Sequence, residues 1–194
     1  MIPSRHLQVV PREDDLLVER CRRGDRQAFD ALYLRHVDFV HKCLVGMVGS
    51  QAPLEDLTQT VFLEAFRSLH NFKGKAAFRT WLYRVMANIA YQHLRRRKPE
   101  MRDDDALTSP TPSPEEEVDD REALSRALTY LQRLKPKQRI AFVLRVVEDL
   151  SLKEIGAIVG ASVPTVGARV REAEKKLQAL AAREQTNAAH RSSS

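Results

Sequence analysis

The sequence predicts an all-α fold: two small helical domains joined by a flexible linker, the C-terminal one a helix-turn-helix. Three observations predict it. Apolar residues recur at helical spacing through most of the chain, with no sustained period-two alternation of the kind a half-buried strand needs. From Glu100 to Pro114 that pattern is lost: Asp103, Asp104 and Asp105 precede Thr108-Ser109-Pro110-Thr111-Pro112-Ser113-Pro114, with too little apolar surface to offset the entropy of ordering. Between Leu150 and Leu177 two apolar stripes are separated by roughly three residues, a connection that sets two helices at a steep angle.

The elements follow in order. Positions 1–13 read as a flexible tail without the apolar stretch and small-residue cleavage site of a signal peptide. A first helix begins near Asp14 and runs to Cys21. A second carries Phe29, Leu32, Tyr33, His36, Val37, Val40, Leu44 and Met47, with Asp25 as its N-cap and Gly46 and Gly49 weakening its end. A third starts near Pro53, a residue suited to a first turn, with Glu55 and Asp56 complementing the helix dipole, and runs to about Leu69. A fourth spans roughly Ala77 to Arg97 and stops at Lys98-Pro99, because proline disfavours helical geometry in the residue before it. These helices define a first domain, 14–99, followed by the linker, 100–114. Helical periodicity resumes after Ser113-Pro114-Glu115-Glu116-Glu117 through Leu124, Leu128, Leu131 and Leu134. Pro136 then restarts the chain as a helix from Gln138 to Leu150. The second domain is 115–182, and 183–194 reads as a flexible polar tail.

Within the second domain, Ser151 and Glu154 have the spacing of a capping box, and Ile155, Ile158 and Val159 form a buried stripe. Gly160 suits a left-handed helix end, Ser162 caps a new helix, and Pro164 falls in its first turn. In that helix Val163, Val166, Val170, Ala173 and Leu177 are expected inward, and Thr165, Arg169, Arg171, Glu172, Lys175 and Lys176 outward. Such a face suits a major groove: Ser162 and Thr165 for phosphate, Arg169 or Arg171 for guanine, Glu172 for the cytosine amino group. The competing reading is an αα-hairpin with a solvated charged face.

The fourth helix has an apolar stripe of Leu82, Val85, Met86, Ile89 and Leu94. Another face is lined by Arg84, Asn88, Tyr91, Gln92 and Arg95, and a basic end follows, Arg95 to Lys98. With Phe72, Lys73, Phe78, Arg79 and Trp81 near its start, it combines cations for phosphate with rings on which unpaired bases can stack. Taken alone, Trp81 and the other aromatics are more often core.

Composition narrows the function. A formal net charge of +6 favours polyanionic partners. Cys21 and Cys43 sit singly in amphipathic patterns, as buried thiols of a reducing cytoplasm do, not as a disulfide framework. Ile140 to Leu144 is cut short by Arg145, far below the ~20 residues of a membrane span. No glycine-rich phosphate loop or nucleophile–base spacing points to an enzyme or a small-molecule substrate, and no cofactor is implied. His36 and His41 are an awkward five residues apart for one metal on a helix face, which favours ordinary helix positions.

From Asp15 to Leu177 the chain resembles the extracytoplasmic-function (ECF) branch of the sigma-70 family. Pro53 to Phe62 (PLEDLTQTVF) is similar to the family's polymerase-binding helix. Phe78 to Val85 (FRTWLYRV), with Asn88 and Leu94-Arg95-Arg96-Arg97, is similar to its −10 segment. Leu150-Ser151, Glu154-Ile155, Ser162 to Val166 and Arg169 are similar to its −35 helix-turn-helix. Each piece is moderately specific; three in the right order, separated by a linker, are highly specific.

The resemblance implies a non-enzymatic subunit that gives core RNA polymerase its promoter specificity. Asp56, Gln59, Thr60, Leu63 and Glu64 would dock on a coiled coil of the largest subunit, and the flap is a further polymerase contact. Asn71, Phe72, Lys73, Arg79, Trp81, Arg84, Asn88, Tyr91, Gln92, Arg95, Arg96 and Arg97 would capture the opened −10 element. Ser151, Lys153, Ser162, Thr165, Gly167, Ala168, Arg169, Arg171, Glu172 and Lys175 would hold the −35 duplex, and an anti-sigma factor is a further expected partner. The chain departs from the family where Gly167 and Ala168 stand for a common basic residue and Ser, and where Glu172 and Glu174 stand at often basic positions. Thr60 stands where an acidic residue is common. A conventional helix-turn-helix regulator that never joins polymerase is the alternative; it explains Ser151 to Leu177 but not the first domain. Limited proteolysis is expected to cut first between Glu100 and Pro114, and earlier cutting inside either domain would count against the boundary.

Overall fold

A computed structural model describes residues 11–72, 74, 76–96 and 117–191. Lys73, Arg97, the segment 100–114 and positions 1–10 lie outside the described residues. The fold is all-α: α1 Pro11–Arg22, α2 Arg26–Val48, α3 Leu54–Ser68, a 3-10 turn Leu69–Asn71, α4 Phe78–Arg96, α5 Glu117–Gln132, α6 Pro136–Phe142, a π turn Val143–Val147, α7 Leu152–Val159 and α8 Val163–Arg191. No strand occurs among the described residues, and none of their helices is long and apolar enough to cross a membrane.

Local chemistry sets most of these boundaries. Asp25 caps α2, its carboxylate accepting from the Ala28 N–H at 3.2 Å, an orphan donor of the first turn. Pro53 stands immediately before α3, with Glu55 and Asp56 in the first turn. Ser151 and Glu154 cap α7 reciprocally: the Ser151 N–H donates to Glu154 at 2.8 Å and the Glu154 N–H to the Ser151 hydroxyl at 3.3 Å.

Two elements differ from the sequence expectation. The helix expected from Gln138 to Leu150 is α-helical only to Phe142. A wider π turn follows, closed by the Glu148 N–H on the Val143 carbonyl at 3.1 Å, and Asp149 then adopts φ 51°. The Arg145 guanidinium donates to the Leu150 carbonyl at 3.1 Å, satisfying a backbone acceptor in the connection between the π turn and α7. At the other end of the domain, α8 continues to Arg191, beyond Arg183, where the apolar periodicity gives out.

α1 to α4 bury Leu32, Val40, Leu44, Met47, Val61, Leu82 and Met86; α5 to α8 bury Leu134, Ile140, Leu144, Ile155, Val166 and Ala173. The two groups share one continuous apolar core rather than touching at a rim. They meet tightly at Gly46 of α2, where an added Cβ would lie 3.1 Å from Val143 Cγ1. The glycine expected only to weaken α2 thus makes room for the second domain, while Gly49, at φ 95°, ends the helix. Cys21 and Cys43 are buried free thiols, and burial pushes both pKa values up.

A buried polar tie fastens α1. His36 Nε2 lies 3.0 Å from Asp14 Oδ2, and Arg35 lies 3.3 Å from the other carboxylate oxygen. Burial alone would raise the Asp14 pKa; the hydrogen bond and charge of His36, and then those of Arg35, outweigh it and hold it below 3.8. The stabilisation is therefore complete above the unfolded carboxylate value near 3.8 and is lost as pH falls through the lower folded value. Asp14→Ala is expected to cost about 1–3 kcal/mol in urea unfolding at neutral pH, because His36 stays buried without its acceptor. The gap between wild type and variant should narrow as pH drops below the unfolded carboxylate value.

Candidate nucleic-acid interface

Three surfaces carry the residues singled out in the sequence. On α3, Leu57, Thr58, Val61, Phe62 and Ala65 turn to the core, so Asp56, Gln59, Thr60, Leu63 and Glu64 share the opposite, exposed face. The Thr60 hydroxyl donates to the Asp56 carbonyl at 2.7 Å. Leu63 is 55% exposed and Phe66, one turn on, 48%. The sequence reading passed over Phe66, although its spacing from Leu63 places it on the same stripe; its ring meets Phe29 edge-on at 4.8 Å. Two large apolar side chains therefore stand exposed within a charged helix face.

The second surface is the outer side of α4 and the loop before it. Asn71, Arg79, Arg84, Asn88, Gln92, Arg95 and Arg96 are exposed. Tyr91 is half-buried, with the Arg95 guanidinium 5.9 Å from its ring centroid. Trp81 is also half-buried, its ring 5.5 Å from those of both Phe72 and Phe78. Phe72 is buried, the residue being 4% exposed, with its ring against Phe78 and Trp81 and Arg22 5.9 Å from its centroid. The apolar content of the segment marks it as core before it can serve as a stacking platform.

The third surface is α7 with the start of α8. Gly160 takes the left-handed conformation at φ 63°, and Gly156 lets the turn close: an added Cβ there would meet the Ala161 carbonyl oxygen at 2.7 Å. Ser162 caps α8 through the Thr165 N–H, and the two hydroxyls are 2.8 Å apart. Ser151, Lys153, Ser162, Thr165, Arg171, Glu172 and Lys175 are exposed, while Arg169 and Ala168 are half-buried. Val163, expected inward, is 44% exposed, because the stripe that packs on the domain begins at Val166. Gly167, one of the −35 positions the resemblance implies, contributes no side chain. It is buried, with Arg171 Nη1 3.2 Å and Leu152 Cδ1 3.6 Å from where a Cβ would stand. Arg171 thus lies over the space that a longer side chain at 167 would fill. Glu172 accepts from Gln138 Nε2 at 2.6 Å, which holds its carboxylate toward α6.

The second and third surfaces are not independent. The Tyr83 hydroxyl donates to Glu148 at 2.5 Å, Arg79 stands 3.8 Å from the same carboxylate, and Arg84 Nη2 donates to the Ala157 carbonyl at 2.8 Å. Burial, reinforced by the Glu148 hydrogen bond and charge, pushes the Tyr83 phenol up, so it remains a donor. Of the histidines and thiol close in sequence, His36 is paired with Asp14, His41 is exposed and Cys43 is buried. No group of three His, Cys, Asp or Glu able to hold a metal ion occurs among the described residues.

The comparisons with known proteins meet this geometry at the same places. Residues 32–100 match the sigma-70 region 2 family and residues 124–177 match sigma-70, region 4. The RNA polymerase sigma-H factor of Pseudomonas aeruginosa is 35% identical over 184 residues, covering 87% of this chain and 95% of that protein. The ECF RNA polymerase sigma-E factor of Escherichia coli K12 is 33% identical over 183 residues, covering 86% and 95%. Among solved structures, CnrH in complex with the cytosolic domain of CnrY matches with a TM-score of 0.64 and 26% identity, covering 87% of this chain and 96% of that one. Region 2 spans α4 and region 4 the helix-turn-helix, in the family's order, and the chain therefore belongs to the sigma-70 family, in its ECF branch.

Proposed function

We propose that this ECF sigma factor directs promoter-specific initiation through three residue sets carried by the three surfaces. The observation that carries the reading is their coexistence in one chain, in the order α3 face, α4 face, helix-turn-helix. Asp56, Gln59, Leu63 and Glu64 dock the first domain on the coiled coil of the polymerase's largest subunit, and Phe66 extends that contact. Asn71, Arg79, Trp81, Arg84, Asn88, Tyr91, Gln92, Arg95 and Arg96 engage the opened −10 strand, where cations neutralise phosphates and Trp81 and Tyr91 offer ring surface. Extruding a base costs a few kcal/mol, which such contacts offset. Ser162 and Thr165, at the N-terminus of α8, hold −35 phosphate, and Arg169, Arg171 and Glu172 face base edges. The second domain also meets the polymerase flap. The protein performs no covalent chemistry of its own and works in the cytoplasm, with an anti-sigma factor as its regulator. The match to CnrH, solved with the cytosolic domain of another protein, supports that last assignment.

Transcription in vitro with core polymerase, on genomic fragments that include this protein's own upstream region, tests the reading. Specific initiation is expected only when the protein is added. Asp56→Ala with Gln59→Ala should lower it about tenfold at limiting protein, the effect of removing central contacts from a docking face, and excess protein should restore it. Tight duplex binding without core association would instead favour the conventional regulator.

The third surface yields a separate expectation about promoter choice. Because Gly167 contributes no side chain and Glu172 is acidic, discrimination at −35 falls on few groups. Arg169→Ala and Glu172→Ala are each expected to change promoter ranking by about 1–3 kcal/mol in competition between promoters. Unchanged ranking and affinity in both variants would remove α8 from base recognition.

A further inference from the structure

α1 carries none of the three residue sets, yet it reaches the aromatic residues around the start of α4 from two places. Near its N-terminal end, Asp14 holds His36 Nε2 at 3.0 Å, and the His36 ring lies 5.4 Å from that of Phe78 at an interplanar angle of 55°. In its last turn, Arg22 stands 5.9 Å from the Phe72 ring centroid. Phe78 is in turn 5.9 Å from Phe72 and 5.5 Å from Trp81. A continuous line of contacts thus runs from a buried carboxylate through an imidazole and a buried phenyl ring to a tryptophan that is only half-buried.

The polar pair does more than attach α1. Asp14 is 8% and His36 6% exposed, and His36 stands between Leu32 and Val40 on the core face of α2. An apolar side chain there would fasten α1 without the desolvation that a buried carboxylate incurs. What the hydrogen bond adds is direction: with Nε2 fixed on Asp14, the imidazole is held in one orientation. Phe78, the first residue of α4, packs on that fixed ring, and Trp81 follows it by three residues on the same side of the helix. The first turn of α4 has no acidic residue to complement its dipole, unlike that of α3, which leaves more of this helix start to the packing of Phe78.

We propose that Asp14 and His36 are positioning residues for promoter opening: through Phe78 they hold the Trp81 ring where an unstacked base of the −10 strand meets it. The step to DNA rests on the reading of Trp81 as a −10 contact; the hold of the pair on Trp81 does not. A ring already in place stacks a base at little cost, whereas one that must first be ordered returns part of the stacking free energy as lost entropy. The pair touches no DNA and acts only through the two rings beyond it.

Trp81 is the only tryptophan of the chain, so the emission of the full-length protein reports on this position directly. Asp14→Ala removes the tie, and His36→Gln keeps a donor for Asp14 but removes the ring beside Phe78. Both should shift the Trp81 emission to the red and increase its quenching by acrylamide, while Asp14→Asn, whose amide oxygen still accepts from His36, should stay close to wild type. Should Asp14→Ala fail to fold, His36→Gln carries the test; failure of both to fold would make the pair a staple of α1 and overturn the positioning role, as would unchanged emission in folded His36→Gln. Opening is read with core polymerase, by permanganate reactivity of unpaired thymines on a genomic fragment from which the wild-type protein initiates. His36→Gln should slow opening about tenfold, the loss of one base–ring stack, at wild-type affinity for core polymerase, since the α3 face is untouched. Wild-type opening in His36→Gln would overturn the proposal, and Trp81→Ala then locates the fault. Slow opening in Trp81→Ala would remove the pair alone from opening, whereas normal opening there would remove Trp81 from the −10 contacts.

Discussion

The burial of α4 on two sides is the constraint from which the rest of the arrangement follows. An isolated amphipathic helix needs one apolar stripe, but α4 packs against α2 and α3 on one side and α6 and α7 on the other. Leu82, Val85, Met86, Ala87, Ile89 and Ala90 are all buried, an arc too broad for one neighbour. The exposed residues that remain form a narrow polar strip, Arg79, Arg84, Asn88, Gln92, Arg95 and Arg96. Ala87 and Ala90 matter for their small size as much as for their apolarity, because short side chains let a second helix approach. Gly46 does the same service on α2 by admitting Val143. Where the helices approach this closely, only the polar groups within reach can pair, and Tyr83, Arg79 and Arg84 find theirs across the boundary between domains.

What could be read in the sequence was governed by neighbours along the chain. Asp25 as a cap, the Ser151–Glu154 box, Gly160 at the end of α7 and the exposed face of α3 each depend on residues within about one helical turn, so spacing alone reveals them. The residues placed differently depend on contacts that spacing along one helix does not show. Phe72 is enclosed by Phe78 and Trp81 across the loop before α4, and Val163 lies before the stripe that packs. The π turn was hidden for a related reason. Its five residues, Val143 to Val147, continue an apolar helical pattern, and only the hydrogen-bond register departs from it. The Tyr83–Glu148 bond joins residues 65 apart, a separation at which no periodicity carries information.

The π turn also has a mechanical role. A regular helix through Val147 would rotate Glu148 away from its present direction, since each residue turns the chain by about 100° in an α-helix and less in a π turn. The wider turn and the positive φ of Asp149 together place Glu148 against α4 and still allow Ser151 to start α7. Irregular backbone is tolerated here because other groups fix it: the Leu150 N–H donates to the Leu144 carbonyl at 3.0 Å, and Arg145 takes the Leu150 carbonyl.

Arg139 opposes the packing of the two domains. It is 3% exposed, its guanidinium would lie 3.3 Å from a Cβ on Gly49, and burial pulls its pKa down to about 10, so it stays charged at neutral pH. Among the described residues its Nε and Nη2 are buried without a hydrogen-bond partner. The negative end of the α2 dipole, which terminates at Gly49, compensates this charge only in part. Separation of the domains would return Arg139 to water while exposing the apolar contact between Gly46 and Val143 and breaking the Glu148 bonds.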